Sequence, residues 1–137
     1  MTDKTEVRDF WNAASCGEEL YLDGSAAKGG YGRQLAIRYA LEPFILDFAR
    51  FRDWSGKDVL EIGVGLGADH QSFAEAGARL NGIDLTERAI EHTKSRFRLL
   101  GLRSEPKGRG RRVFALCRRC LRSRLFLGSV TSQPGHA

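Results

Sequence analysis

An apolar run that breaks into three closely spaced glycines, Val59-Leu60-Glu61-Ile62-Gly63-Val64-Gly65-Leu66-Gly67, constrains this chain more than any other stretch. Val59, Leu60 and Ile62 suit a short buried parallel strand, and the glycines let the chain turn tightly at its end. The next residues, Asp69 to Gly77, predict a helix with Phe73 and Ala74 on one side and Gly77 as its stop. The pattern then repeats. Residues 78–85, ARLNGIDL, read as a second strand, and 86–101, TERAIEHTKSRFRLLG, as a second helix. Thr86 caps that helix, Ala89, Ile90, Thr93, Phe97 and Leu100 recur at helical spacing, and Gly101 ends it. Strand, glycine turn, helix, strand, helix is the opening of a doubly wound α/β sheet with a nucleotide site at its first turn.

The chemistry of that turn leaves two ligand classes open. Glycines let a ligand approach the backbone where a Cβ would intrude. Asp84 closes the second strand 17 residues after Gly67, where a carboxylate can accept both ribose hydroxyls of a nucleoside. With Ala68 in the third place the string satisfies the dinucleotide pattern, so an NAD(P)-dependent oxidoreductase is one reading. The G-x-G-x-G spacing and Glu61, two residues before the first glycine, point instead to a ligand with positive charge. S-adenosylmethionine carries an amino group and a sulfonium, and it has no pyrophosphate to seat on the helix. A turn that binds nothing is the plain alternative.

Upstream, residues 1–30 are polar and glycine-punctuated, with a short helix expected over Val7 to Ala14 and a loop over DGSAAKGGYG. From Gln34 the chain lacks breakers. A helix is expected there, interrupted at Pro43, which removes an N–H and restrains Glu42, with a second helix running to about Arg52. No apolar stretch is long enough to span a bilayer, and MTDKTEVRDFWN has no secretory h-region. Three cysteines make no disulfide framework, so a reducing cytoplasm is expected. Cys117-x-x-Cys120 with His136 is an incomplete ligand set, and no metal is expected.

Residues 59–102, VLEIGVGLGADHQSFAEAGARLNGIDLTERAIEHTKSRFRLLGL, resemble the first half of a class I S-adenosylmethionine-dependent methyltransferase. They are most similar to the group that includes the ubiquinone and menaquinone biosynthesis methyltransferases. VRDFWNAASCGEE and RYALEPFILDFARF resemble the N-terminal segments of one bacterial branch, so the resemblance runs from about Val7 to Glu105. It implies a Rossmann-like sheet and S-adenosyl-L-methionine as cofactor. Glu61, Gly63, Gly65 and Gly67 would surround its methionine part, with Val64 also among the cofactor-binding residues. Asp84 would hold the ribose hydroxyls, and Leu85 would lie against the adenine. Cys16, Tyr21 and Tyr31 fall in the cap over such a site, where packing or loop roles are expected of them. Asp69 and His70 are expected to cap the first helix and face solvent. No residue is assigned as catalytic, and the acceptor is expected to be a small molecule. The chain divides into a helical cap at 1–54, half a donor-binding domain at 55–105, and a tail at 106–137.

The tail is the anomaly. The first 105 residues hold all 17 acids, whereas 106–137 holds eight Lys and Arg and no acid, which hides a net −3 behind an overall charge of +5. An Arg-rich nucleic-acid-binding tail is one explanation. Codon arithmetic offers another. Read one base later, Leu125 to His136 permits YSWGVLHHSPD, and Arg111 to Leu125 permits AE, one open position, then LPFADDAFDLV. These resemble the acidic loop and fourth-strand region of the same family, in the right order. The tail is therefore expected to be frameshifted and disordered. The sheet would then stop at two strands, with the first strand's far edge open and methyl transfer lost.

Overall fold

The computed structural model of the protein describes residues 4–13, 15, 17–18, 22, 28–108 and 125–128. Helix α1 spans Lys4–Ala13, α2 Lys28–Leu41 and α3 Phe44–Ala49, and a 3-10 turn covers Phe51–Trp54. Then come β1 (Asp58–Ile62), α4 (Ala68–Glu75), β2 (Arg79–Asp84), α5 (Glu87–Leu100), β3 (Glu105–Gly108) and β4 (Leu125–Gly128). The strands form one parallel sheet in the order β3-β2-β1-β4. This is an α/β, partial Rossmann-like fold: the order reverses at β1, and the glycine turn sits at β1's carboxyl end, where such sheets bind ligands.

Local chemistry explains the elements that the sequence foretells. Pro43 separates α2 from α3. The Thr86 side chain accepts the Ala89 N–H at 3.3 Å, and α5 ends on Gly101 at φ 67°. Below the sheet, Ile45, Ala49, Val59 and Phe73 form a buried cluster, with Tyr39, Phe51, Trp54, Ala78 and Leu80 packed around it. The rings of Phe51 and Phe73 meet edge to face, 4.6 Å apart.

Three expectations are corrected. Helix α2 begins at Lys28 and runs straight through GGYG, where a loop was expected. Glycine disfavours a helix by only about 1 kcal/mol per residue, and burying Tyr31 with Leu22 and Leu66 outweighs that. Helix α3 stops at Arg50, in the left-handed region at φ 46°, instead of running to Arg52.

The third correction concerns β1's far edge, which is paired and not open. Val59 to Ile62 register with Leu125 to Gly128, and Asn81 to Asp84 register with Glu105 to Gly108. Two pieces of the expected disordered tail thus lie in the sheet. Ladder hydrogen bonds are made by main chain, so an apolar four-residue segment can supply them whatever its wider sequence. The other tail residues, among them Cys117, Cys120 and His136, lie outside the described residues, as do Cys16 and Tyr21.

Candidate functional site

The glycine turn is shaped by positive φ at Gly63 (80°), Gly65 (53°) and Gly67 (81°), a region that only glycine enters cheaply. Its N–H groups are held by specific oxygens. Gly63 donates to the Ile83 carbonyl at 2.7 Å, Gly67 to the Val64 carbonyl at 2.8 Å, and Gly65 to Oδ2 of Asp84 at 3.1 Å. The other Asp84 oxygen accepts from the Thr86 N–H at 2.9 Å and its hydroxyl at 3.0 Å. Asp84 thus ties the turn to the start of α5. A Cβ built on Gly65 would meet nothing within 4 Å, so the turn faces open space beside this carboxylate. Leu85, half-buried, follows directly. Val64 is buried, and its side chain lies so near Gly82 that a Cβ there would come within 2.7 Å of it.

Glu61 is not at an open rim. Alternate residues of a strand share a face, so Glu61 points where Val59 points, under α4. Val59 clusters there with Phe73, and Glu61 meets His70, one helical turn earlier, with Oε2 2.8 Å from Nδ1. Glu61 is 4% exposed and His70 0%. Burial pushes the Glu61 carboxyl above the usual carboxylate range, opposed by the His70 hydrogen bond. The expectation of a solvent-facing His70 is therefore corrected. Asp69 does not face solvent freely either: it receives Arg38 through two bonds, at 3.2 and 2.8 Å, and the Tyr39 hydroxyl at 3.0 Å, fastening α2 to α4. The i,i+3 spacing of His70 and Phe73 was the available signal.

Sequence reasoning also missed Arg96, which is 0% exposed. It donates to the carbonyls of Leu66 at 3.0 Å and Tyr31 at 2.8 Å, and to the amide oxygens of Gln34 at 2.6 Å and Gln71 at 2.7 Å. These neutral oxygens belong to α2, the glycine turn and α4, so one guanidinium joins three elements around the site. Burial lowers its pKa to about 10, and it remains charged. Its position, on the stripe of Ala89, Thr93 and Leu100, was the legible hint.

The cap is anchored on α5. Arg88 Nε and Nη2 both donate to Glu18 at 2.7 Å, and the Arg88 N–H donates to Asn12 Oδ1 at 3.1 Å. His92 Nε2 reaches the same carboxylate at 3.1 Å, and its Nδ1 lies 3.1 Å from the Tyr31 hydroxyl. Among the described residues no helix is long and apolar enough to cross a membrane, and no His, Cys, Asp or Glu cluster could hold a metal.

No family model matches the chain. A ubiquinone biosynthesis O-methyltransferase of Nitrosospira multiformis is 48% identical over 40 residues, 29% of this chain and 17% of that protein. The match thus spans about a sixth of the curated relative's length. A solved structure, from work on the conversion of a disulfide bond into a thioacetal group during echinomycin biosynthesis, is 28% identical. It covers 39% of this chain and 22% of that one, and its TM-score of 0.37 is too low to carry an argument. Beside the parallel β3-β2-β1-β4 order and the turn between Glu61 and Asp84, the 48% identical segment makes part of this chain similar to part of an O-methyltransferase.

Proposed function

We propose that residues 55–105 bind S-adenosyl-L-methionine, as the donor half of a methyltransferase acting on a small-molecule acceptor. The observation that carries this reading is the open space over Gly65, bounded by the Asp84 carboxylate at the end of β2. The residues suit the ligand. A carboxylate has about four acceptor positions, and three at Asp84 are filled by Gly65 and Thr86. A ribose diol would use the remaining one and replace the Gly65 N–H. Glu61 offers negative charge behind the turn, Gly63, Val64, Gly65 and Gly67 offer main chain, and Leu85 offers an apolar surface for adenine.

When bound, the donor supplies an electrophilic methyl group on a sulfonium. Transfer by in-line displacement then requires orientation and exclusion of water more than a covalent intermediate. Asp84 and the glycine turn orient, and the cap held by the Glu18–Arg88 pair limits water. A cytoplasmic location belongs to the proposal. So does the out-of-frame origin of residues 106–137, whose acid-free composition supports it.

Calorimetric titration with S-adenosylhomocysteine and with NAD tests the reading. Binding of the first in preference to the second is expected. Tight NAD binding with no response to S-adenosylhomocysteine overturns it.

A further inference from the structure

We infer that His70 is a positioning residue that orients Glu61 for the ammonium end of the donor, and that Ser104 sets the His70 tautomer. This rests on the donor-binding reading above. The geometry is a buried relay. Ser104 Oγ lies 2.6 Å from His70 Nε2, and His70 Nδ1 lies 2.8 Å from Glu61 Oε2. The imidazole packs against the Phe97 ring, 5.1 Å away. It fits only because β2 carries glycine at position 82: a Cβ there would stand 2.9 Å from His70 Cε1 and 2.7 Å from a Val64 methyl.

A neutral imidazole has one N–H and one lone pair, so its two partners choose the tautomer. The carboxylate can only accept, and the serine hydroxyl is free to donate. Ser104 therefore donates to Nε2, and the ring hydrogen sits on Nδ1, aimed at Glu61. That charge-assisted bond opposes the burial that otherwise favours a protonated, uncharged Glu61. Asp69 and Arg38 are the other charges acting on Glu61. The first, the larger, disfavours its ionisation, and the second, paired with Asp69 at 2.8 Å, favours it.

The same two hydrogen bonds occur in nucleophilic triads, where a histidine activates a serine. That role does not fit here. His70 is wholly enclosed and bonded on both nitrogens, so it has no atom to present to a leaving group. What the relay can do is keep one buried negative charge in place. A donor with a cationic amino-acid tail gains from that charge, and a nucleoside thioether without the tail does not.

The test compares S-adenosylhomocysteine with 5′-methylthioadenosine, which lacks the amino-acid tail, on the full chain and on His70→Leu, His70→Gln and Ser104→Ala. His70→Leu is expected to weaken S-adenosylhomocysteine roughly 10- to 100-fold, the worth of one hydrogen bond to a charged group. Methylthioadenosine should change less than about twofold by the same reasoning, since it makes no such bond. Glutamine can donate to Glu61 and accept from Ser104, so His70→Gln should recover most of the loss. Equal weakening of both ligands, or no recovery with glutamine, overturns the inference. Infrared spectroscopy provides a ligand-free readout. His70→Leu, or Ser104→Ala if the leucine variant does not fold, should convert a carboxylate band to a protonated carboxyl band at neutral pH. An unchanged band overturns the relay even if both ligands bind. A full chain that binds neither ligand, yet shows the band shift, overturns the donor reading and leaves the relay standing.

Discussion

The backbone N–H of Gly65 donates to Oδ2 of Asp84 across 3.1 Å, tying the middle of the glycine turn to the end of β2. A ribose diol would compete for that oxygen. Addition of S-adenosylhomocysteine should therefore shift the Gly65 amide resonance more than those of Gly63 and Gly67, whose N–H groups bond to backbone carbonyls. Asp84→Ala should weaken binding by about 1.5–3 kcal/mol, a charged hydrogen bond's worth, and should weaken NAD less. A silent Gly65 amide on ligand saturation would count against this arrangement.

Glycines 65 and 67 should fail differently when replaced. Gly65→Ala adds a methyl into open space at φ 53°, so stability should fall by about 1–2 kcal/mol while ligand affinity falls further. Gly67→Ala puts its Cβ 2.9 Å from Thr93 Oγ1 at φ 81°, and strain plus overpacking should cost about 2–4 kcal/mol. Urea denaturation beside calorimetry separates the two effects.

Arg96 should be far more important to stability than its place on a charged helix suggests. Arg96→Met leaves the carbonyls of Tyr31 and Leu66 and two glutamine side chains without their donor. A loss of about 3 kcal/mol or more is expected in urea denaturation, because each buried unpaired group carries its own penalty. Arg96→Lys should not restore it, since an ammonium cannot reproduce the planar fork.

Acid should loosen the cap. Arg88 holds the Glu18 carboxyl at about 2, down from its ordinary 4.5. A carboxylate depressed by folding contributes stability above its unfolded pKa and loses that contribution as pH falls through the folded value. Protection of α1 from limited proteolysis should therefore decline between about pH 4.5 and 2. Glu18→Gln should expose the cap at neutral pH and flatten that dependence.

The out-of-frame account is decided by nucleotides. The codons for residues 106–137, read one base later, should encode acids in place of the arginine runs and a strand-like segment in place of Leu125 to Gly128. A chain rebuilt in that frame should be soluble and bind donor at least as well in a side-by-side expression and calorimetry assay. A downstream frame rich in stop codons would sink this account.

Much of the architecture was written in local chemistry. The break at Pro43, the Thr86 cap, the Gly101 stop and the turn from Ile62 to Gly67 depend on backbone freedom and capping within a few residues, and sequence alone determined them. The acids at positions 61 and 84 were legible for the same reason, since strand ends fix where they fall. Partners far apart in the chain were not legible. Arg96 reaches Tyr31 and Gln34 across more than 60 residues, and His70 reaches Ser104 across 34. Helical spacing says that a residue lies on a buried stripe, but only the assembled elements decide whether a polar one there finds oxygens to satisfy it. Tertiary packing likewise carried α2 through its glycines, and main-chain pairing brought Leu125–Gly128 to the edge of β1. Those bonds depend on geometry that no short stretch of sequence contains.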